Sequence, residues 1–252
     1  MPVKGPELFD LTGRVAVVTG GSSGIGRSLG EALAACGARI VYVARRADRV
    51  REAADAIGGA AVVADVAERE RAREIADEVA RPFGWPDIVV NAAGLNVRAR
   101  AEEVTPGNWD TVMAIQLAAP LFFTQPFVPA MREKGWGRVV NIGSLSTARA
   151  LPSTTAYATA KSGIAGLTRA MAMDWAPWGI TANVLCPGYF ETELTAPVVA
   201  DTARWQALAD STMIGRNGRL EDLHGACIFL ASEASAYVTG QTLFVDGGFT
   251  AR

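Results

Sequence analysis

A doubly wound α/β sandwich, one parallel sheet between two layers of helices, is the fold that this chain predicts, on three observations. Short β-branched runs alternate with longer Ala-rich stretches along nearly its whole length, the pattern of strands buried on both faces and joined by helical crossovers. A glycine-rich turn, Thr19-Gly20-Gly21-Ser22-Ser23-Gly24-Ile25-Gly26, leaves the first apolar run and opens the first helical one. No composition break divides the 252 residues, so one domain over residues 1–252 is expected, large enough to bury a substantial core.

Seven strands are predicted. Residues 14–19 form the first, because the run is β-branched and uncharged after Arg14. A helix over 23–36 follows, ended by Gly37 as its left-handed cap. Further apolar runs give strands at 39–44, 60–64, 87–91, 137–142, 181–185 and 242–245. Between them, longer stretches with helical spacing give helices at 48–57, 68–82, 106–133, 153–178 and 220–231. Right-handed crossovers turn this alternation into a doubly wound sheet. The connection 188–219 breaks the rhythm. It is too long and irregular for an ordinary loop, and reads as a lid or substrate wall.

Charge and composition remove several function classes. The formal net charge is −2, and neither Arg45-Arg46 nor Arg98-Ala99-Arg100 makes a basic stripe, so nucleic acid is not an expected partner. Residues 1–13 lack the apolar run of a signal peptide, and no apolar stretch is expected to reach membrane-spanning length; a cytoplasmic protein with no membrane association is expected. Cys36, Cys186 and Cys227 are scattered among apolar neighbours without Cys-x-x-Cys or zinc spacing, and read as buried structural thiols. The lone His224 has no partner in sequence and reads as a packing or surface residue, so no metal site is expected.

Two motifs carry chemistry. In the turn, Gly20, Gly24 and Gly26 keep side chains away while Ser22, Ser23 and Ile25 complete a helix N-terminus, where free N–H groups and the helix dipole favour a diphosphate. Much later, Tyr157 and Lys161 stand four apart and thirteen or more residues after Ser144; positions i and i+4 share one helix face, so phenol and ammonium can enter one cleft. The cofactor's identity turns on the end of the second strand. An acidic residue there would bind a ribose 2′-hydroxyl, but the chain has Ala44 followed by Arg45 and Arg46. A guanidinium fork suits a phosphate, so NADP(H) is favoured with NAD(H) as the alternative.

With these motifs in order, the chain closely resembles the short-chain dehydrogenase/reductase family, matching Thr-Gly-x-x-x-Gly-x-Gly at 19–26, then Asp65-Val66, Asn91-Ala92-Ala93-Gly94, Ser144, Tyr157 with Lys161, and Pro187-Gly188 before Thr192. The resemblance implies an oxidoreductase with a Rossmann-type sheet of strand order 3-2-1-4-5-6-7, assembled as a homotetramer or homodimer. It implies Asp65 at the adenine, Asn91 at the adjoining sheet and nucleotide, Lys161 at the nicotinamide ribose, and Pro187, Gly188 and Thr192 around the carboxamide, with Val66, Ala92, Gly94, Tyr157 and Phe190 as further cofactor contacts. Tyr157 would be the acid/base, its pKa drawn below the usual value near 10 by Lys161 and, in the oxidation direction, by the positive nicotinamide. Ser144 would donate to the substrate oxygen. Gln116 stands where many relatives carry an asparagine that holds a proton-relay water.

The expected substrate wall is Leu95, Asn96, Leu145, Leu151, Tyr189, Phe190 and Trp205, beside Ser144 and Tyr157, with Arg98, Arg100, Arg149 and Arg204 near its mouth. This suits a modest ketone or secondary alcohol. The phrase Pro187-Gly188-Tyr189-Phe190-Glu191-Thr192 is similar to the gluconate 5-dehydrogenase-like and 3-ketoacyl reductase-like branches of the family. A non-catalytic cofactor-binding protein would not need Ser144, Tyr157 and Lys161 together, and a lyase or epimerase of this type usually carries an added substrate domain.

Overall fold

The computed structural model describes residues 5–252; Met1 to Lys4, which open the expected domain, lie outside the described residues. Strands β1 (Val15–Thr19), β2 (Arg39–Ala44), β3 (Ala60–Val63), β4 (Ile88–Asn91), β5 (Gly137–Ile142), β6 (Ile180–Pro187) and β7 (Thr242–Val245) form one sheet in the order β3-β2-β1-β4-β5-β6-β7. Every neighbouring pair is parallel. The seven strands and their expected order are therefore observed, with ends shifted by a residue or two.

The two-residue period of a strand divides its side chains between two cores. Val15, Val17, Val41, Val43, Val89 and Val139 point to one face. There they meet α3 (Ala72–Ala80), α5 (Ala119–Thr124), α6 (Val128–Lys134) and α7 (Thr155–Trp175). Ala16, Val18, Ile40, Tyr42, Val90 and Val140 point to the other, against α1 (Gly24–Ala35), α2 (Ala47–Asp55) and α10 (His224–Ala231). Tyr42 shows how composition serves packing. Its ring is fully buried and its hydroxyl donates to the Arg27 carbonyl at 2.7 Å. A Cβ on Gly21 or Gly30 would come within 2.0 or 2.3 Å of that ring, so both positions must be bare. His224 Nε2 lies 2.7 Å from Ser28 Oγ and ties α10 to α1, a packing role. Cys186 and Cys227 are buried and Cys36 half-buried.

The helix expected over 106–133 is broken. After α4 (Pro106–Met113) the chain makes a π turn over Ala114–Ala118, then α5, a 3₁₀ turn over Gln125–Phe127, and α6. Pro120 and Pro126 have no N–H to donate, and each ring presses on the carbonyl four residues back, so the hydrogen-bond ladder must slip. Contrary to the expectation above, Pro106–Lys134 is long and apolar enough to cross a membrane by length and composition. Here its apolar side is spent on the core: Val112, Phe123, Phe127 and Met131 are no more than 1% exposed. The helices expected at 68–82 and 220–231 each begin with a 3₁₀ turn, Arg69–Arg71 and Leu220–Leu223. The irregular connection after β6 contains two short helices, α8 (Ala196–Val199) and α9 (Thr202–Asp210).

Candidate active site

The carboxyl ends of the strands open onto a cleft of about 790 Å³, within the range of small-molecule and cofactor sites. Its floor begins at the glycine turn. Thr19 Oγ1 accepts from the backbone N–H groups of Ala92 and Ala93, each at 3.0 Å, fastening the end of β1 to the end of β4. Gly20 follows with φ +68°, and a Cβ there would lie 2.9 Å from the Ala92 carbonyl oxygen. A Cβ on Gly26 would come 2.5 Å from the Gly20 oxygen. The turn therefore closes only on bare backbone. At the start of α1, Ser23 makes no side-chain cap and the first turn holds no acid. Gly24, Ile25 and Gly26 line the cleft, so unpaired N–H groups and the positive helix end are left for an anion. These residues fit a dinucleotide's diphosphate.

Beyond the turn, Ala44, Arg45, Arg46, Asp65 and Val66 form the adjoining wall. Asp65 Oδ1 accepts from Ala67 N at 3.0 Å, and Oδ2 lies 3.5 Å from Arg45 Nη1. Arg46 reaches back to the turn: Nη2 donates to Ser22 Oγ at 3.0 Å and to Ser23 Oγ at 2.7 Å. Its Nη1 meets Glu193 Oε2 at 2.8 Å, and Arg49 pairs with the same carboxylate. Glu193 was not among the expected site residues. Its only sequence signal is its place next to Thr192.

Ser144, Tyr157 and Lys161 come together at the other side of the turn. Ser144 follows β5 and opens the 3₁₀ turn Leu145–Thr147, its Oγ accepting from Ser146 N at 3.1 Å. Tyr157 and Lys161 rise from one face of α7, with Lys161 Nζ 5.7 Å from the Tyr157 ring centroid and donating to the Ile142 carbonyl at 2.5 Å. Burial pushes the Tyr157 phenol above its ordinary value, while its hydrogen bond with Ser144 pulls the other way. Burial also brings the Lys161 ammonium down to about 8. In each of these two buried groups, desolvation of the charged form is the leading influence. Gln116 sits in the π turn and donates from Nε2 to the Leu95 carbonyl at 2.5 Å, while its buried Oε1 has no protein partner.

The segment after β6 forms the roof. Pro187, Gly188, Tyr189, Phe190 and Thr192 all line the cleft, and the Thr192 methyl would lie 3.5 Å from a Cβ on Gly24, so the roof returns over the turn. Ala92, Gly94, Leu95, Asn96, Leu145 and Leu151 line the cleft as expected. Two other expected contacts do not. The Asn91 amide makes the expected contact with the adjoining sheet but does not reach the cleft, donating to Asn141 Oδ1 at 2.8 Å and Thr124 Oγ1 at 3.1 Å; an amide buried at a strand end satisfies itself on its neighbours. Trp205 lies outside the lining and its neighbour Arg204 takes the place, because α9 turns successive side chains by a helical step. Of the arginines near the mouth, Arg98 and Arg204 line the cleft and flank Tyr189. Arg100 pairs instead with Glu102, and Arg149 lies over Phe249.

The family model described as enoyl-(acyl carrier protein) reductase matches residues 20–250. Gluconate 5-dehydrogenase of Gluconobacter oxydans is 38% identical, covering 97% of this chain and 98% of that protein. Galactitol 2-dehydrogenase (L-tagatose-forming) of Cereibacter sphaeroides is also 38% identical, over 96% of this chain and 97% of its own. A crystal structure of a gluconate 5-dehydrogenase from Burkholderia cenocepacia, in complex with NADP and tartrate, superposes with a TM-score of 0.92 at 41% identity, covering 98% of each chain.

Proposed function

The chain belongs to the short-chain dehydrogenase/reductase family, and on that footing we propose that it moves a hydride between NADP(H) and a secondary alcohol carbon of a small polyhydroxy acid of the gluconate type. The observation that carries this reading is one cleft lined by Ser144, Tyr157 and Lys161, by the nucleotide turn, and by Arg98 and Arg204. Bound NADP(H) would supply or accept the hydride. Tyr157 gives its proton to the ketone oxygen in reduction and recovers one in oxidation. Ser144 donates to the same oxygen as charge develops there. Lys161 would hold the nicotinamide ribose, and Gln116 fixes the Leu95 backbone that lines the cleft.

Arg98 and Arg204 would take the substrate carboxylate, since paired guanidinium donors recognise that group strongly. The tartrate of the Burkholderia relative is a hydroxy acid of the same chemistry, which supports the choice. Arg46 on Ser22 and Ser23, with Ala44 in place of an acid, supports NADP over NAD. The domain acts as a unit, with 188–219 as its lid. We read the protein as a cytoplasmic homotetramer, a homodimer being the alternative; Met173, 78% exposed on α7, is an apolar contact such an assembly would cover.

The test is absorbance at 340 nm with NADP⁺ and NAD⁺ against aldonic acids, polyols and hydroxyacyl thioesters. Turnover of an aldonic acid with at least tenfold preference for NADP⁺ is expected. Equal efficiency with NAD⁺, or turnover confined to uncharged polyols, would overturn the reading. Arg204→Ala is expected to raise KM for the acid about tenfold, the scale of a lost charge-assisted hydrogen bond, while KM for any polyol turned over stays put.

A further inference from the structure

The roof of the cleft grips the opposite wall at one point. Glu193, directly after Thr192, meets Arg46 Nη1 at 3.1 and 2.8 Å, and it pairs with Arg49 one helical turn further along α2. Arg46 spends its other amino group on Ser22 and Ser23 of the nucleotide turn. The corner made by Arg46, Ser22 and Ser23 is thus satisfied by a carboxylate from the chain itself.

We propose that Glu193 is a resident counter-anion of the 2′-phosphate subsite, which gives up Arg46 when a 2′-phosphate arrives and so sets how strongly the protein prefers NADP over NAD. This rests on the reading of Arg46 as a 2′-phosphate ligand. A carboxylate and a phosphate use the same fork of guanidinium donors, so both cannot hold Arg46 fully. Arg49 provides a second perch, and the exchange leaves no carboxylate stranded. Arg46 and Arg49 hold the Glu193 carboxyl below the usual carboxylate range, so it is an anion at neutral pH. The partners are about half exposed, at 43% for Arg46 and 54% for Glu193. Such pairs are weak enough to exchange.

Calorimetric titration of the full chain with NADP⁺, NAD⁺ and 2′,5′-ADP tests the proposal without turnover. Glu193→Gln is expected to tighten NADP⁺ and 2′,5′-ADP by about threefold to fivefold, the scale of one exposed ion pair, with NAD⁺ changed by less than about twofold. Arg49→Ala, which leaves Glu193 wholly on Arg46, is expected to weaken NADP⁺ by a similar factor, and the double variant to match Glu193→Gln. If Glu193→Gln weakens both cofactors alike, the contact is a structural latch. If it changes neither, the pair is idle, and either result sinks the proposal. A wild-type chain that binds NAD⁺ as tightly as NADP⁺ sinks the underlying cofactor reading, and this inference with it.

Discussion

A Tyr157→Phe variant is expected to lose two to four orders of magnitude in kcat, the usual contribution of one positioned acid–base group, while its affinity for NADP⁺ stays within about twofold. The substitution removes one oxygen and little else. The ring packs with Val112, Ala156 and Ala160, and phenylalanine fills the same space, so loss of rate would not come from misfolding. Because burial raises the phenol's pKa, the phenol is protonated at neutral pH. Oxidation, which needs the phenolate, should therefore speed up as pH rises, and reduction should be the easier direction at lower pH. Ser144→Ala should slow the chemical step by about a hundredfold. It should also loosen the 3₁₀ turn, since Ser144 Oγ accepts from Ser146 N. A Tyr157→Phe enzyme keeping a tenth of its rate, or losing its cofactor, would refute the assignment.

The sheet was legible because each strand is bounded by a change of period. Val15 to Val18 are buried without interruption, as a strand covered on both faces requires, and the run's β-branched content and the glycine turn that stops it mark it as a strand. Boundaries were less legible where the backbone tightens into 3₁₀ turns, since Arg69–Arg71 and Leu220–Leu223 carry the same composition as the helices they open. The π turn over Ala114–Ala118 had a signal that was passed over. Pro120 stands four residues after Gln116, and that spacing denies Gln116 its helical partner.

At the site, sequence reading placed residues well where backbone geometry dictates the type. Gly20 and Gly26 are such positions, because a side chain there would collide with the turn. It did less well where a side chain has a choice of direction. Asn91 ends β4 as expected, yet its amide turns toward Asn141 and Thr124, a choice made by partners 50 and 33 residues away. Trp205 and Arg204 differ by one helical step, and no local pattern says which faces the cleft. Glu193 meets Arg46 across 147 residues, a pairing that only the folded roof reveals.

Lys161→Met is expected to abolish turnover and at the same time to stabilise the protein at neutral pH. Lys161 is 5% exposed and donates to the Ile142 carbonyl, and burial takes its ammonium from 10.5 to about 8. The folded value lies below the unfolded one. The unfolded chain thus binds more protons between those values, and stability rises with pH through that window. Below pH 8 the whole cost of the buried charge is present, about 3 kcal/mol for a shift of this size. Methionine is unbranched and pliable enough to follow the same channel. It forfeits the charge-assisted hydrogen bond to Ile142, about 2 kcal/mol, so about 1 kcal/mol should remain as a gain, or a Tm higher by about 2–4 °C for a chain of this length. At pH 9.5 the wild-type lysine is largely neutral, and the advantage should shrink by more than half. Calorimetric Tm values for both proteins at pH 7 and 9.5 give the comparison. A variant less stable at pH 7, or an advantage unchanged at pH 9.5, would mean that this buried ammonium is not what strains the fold.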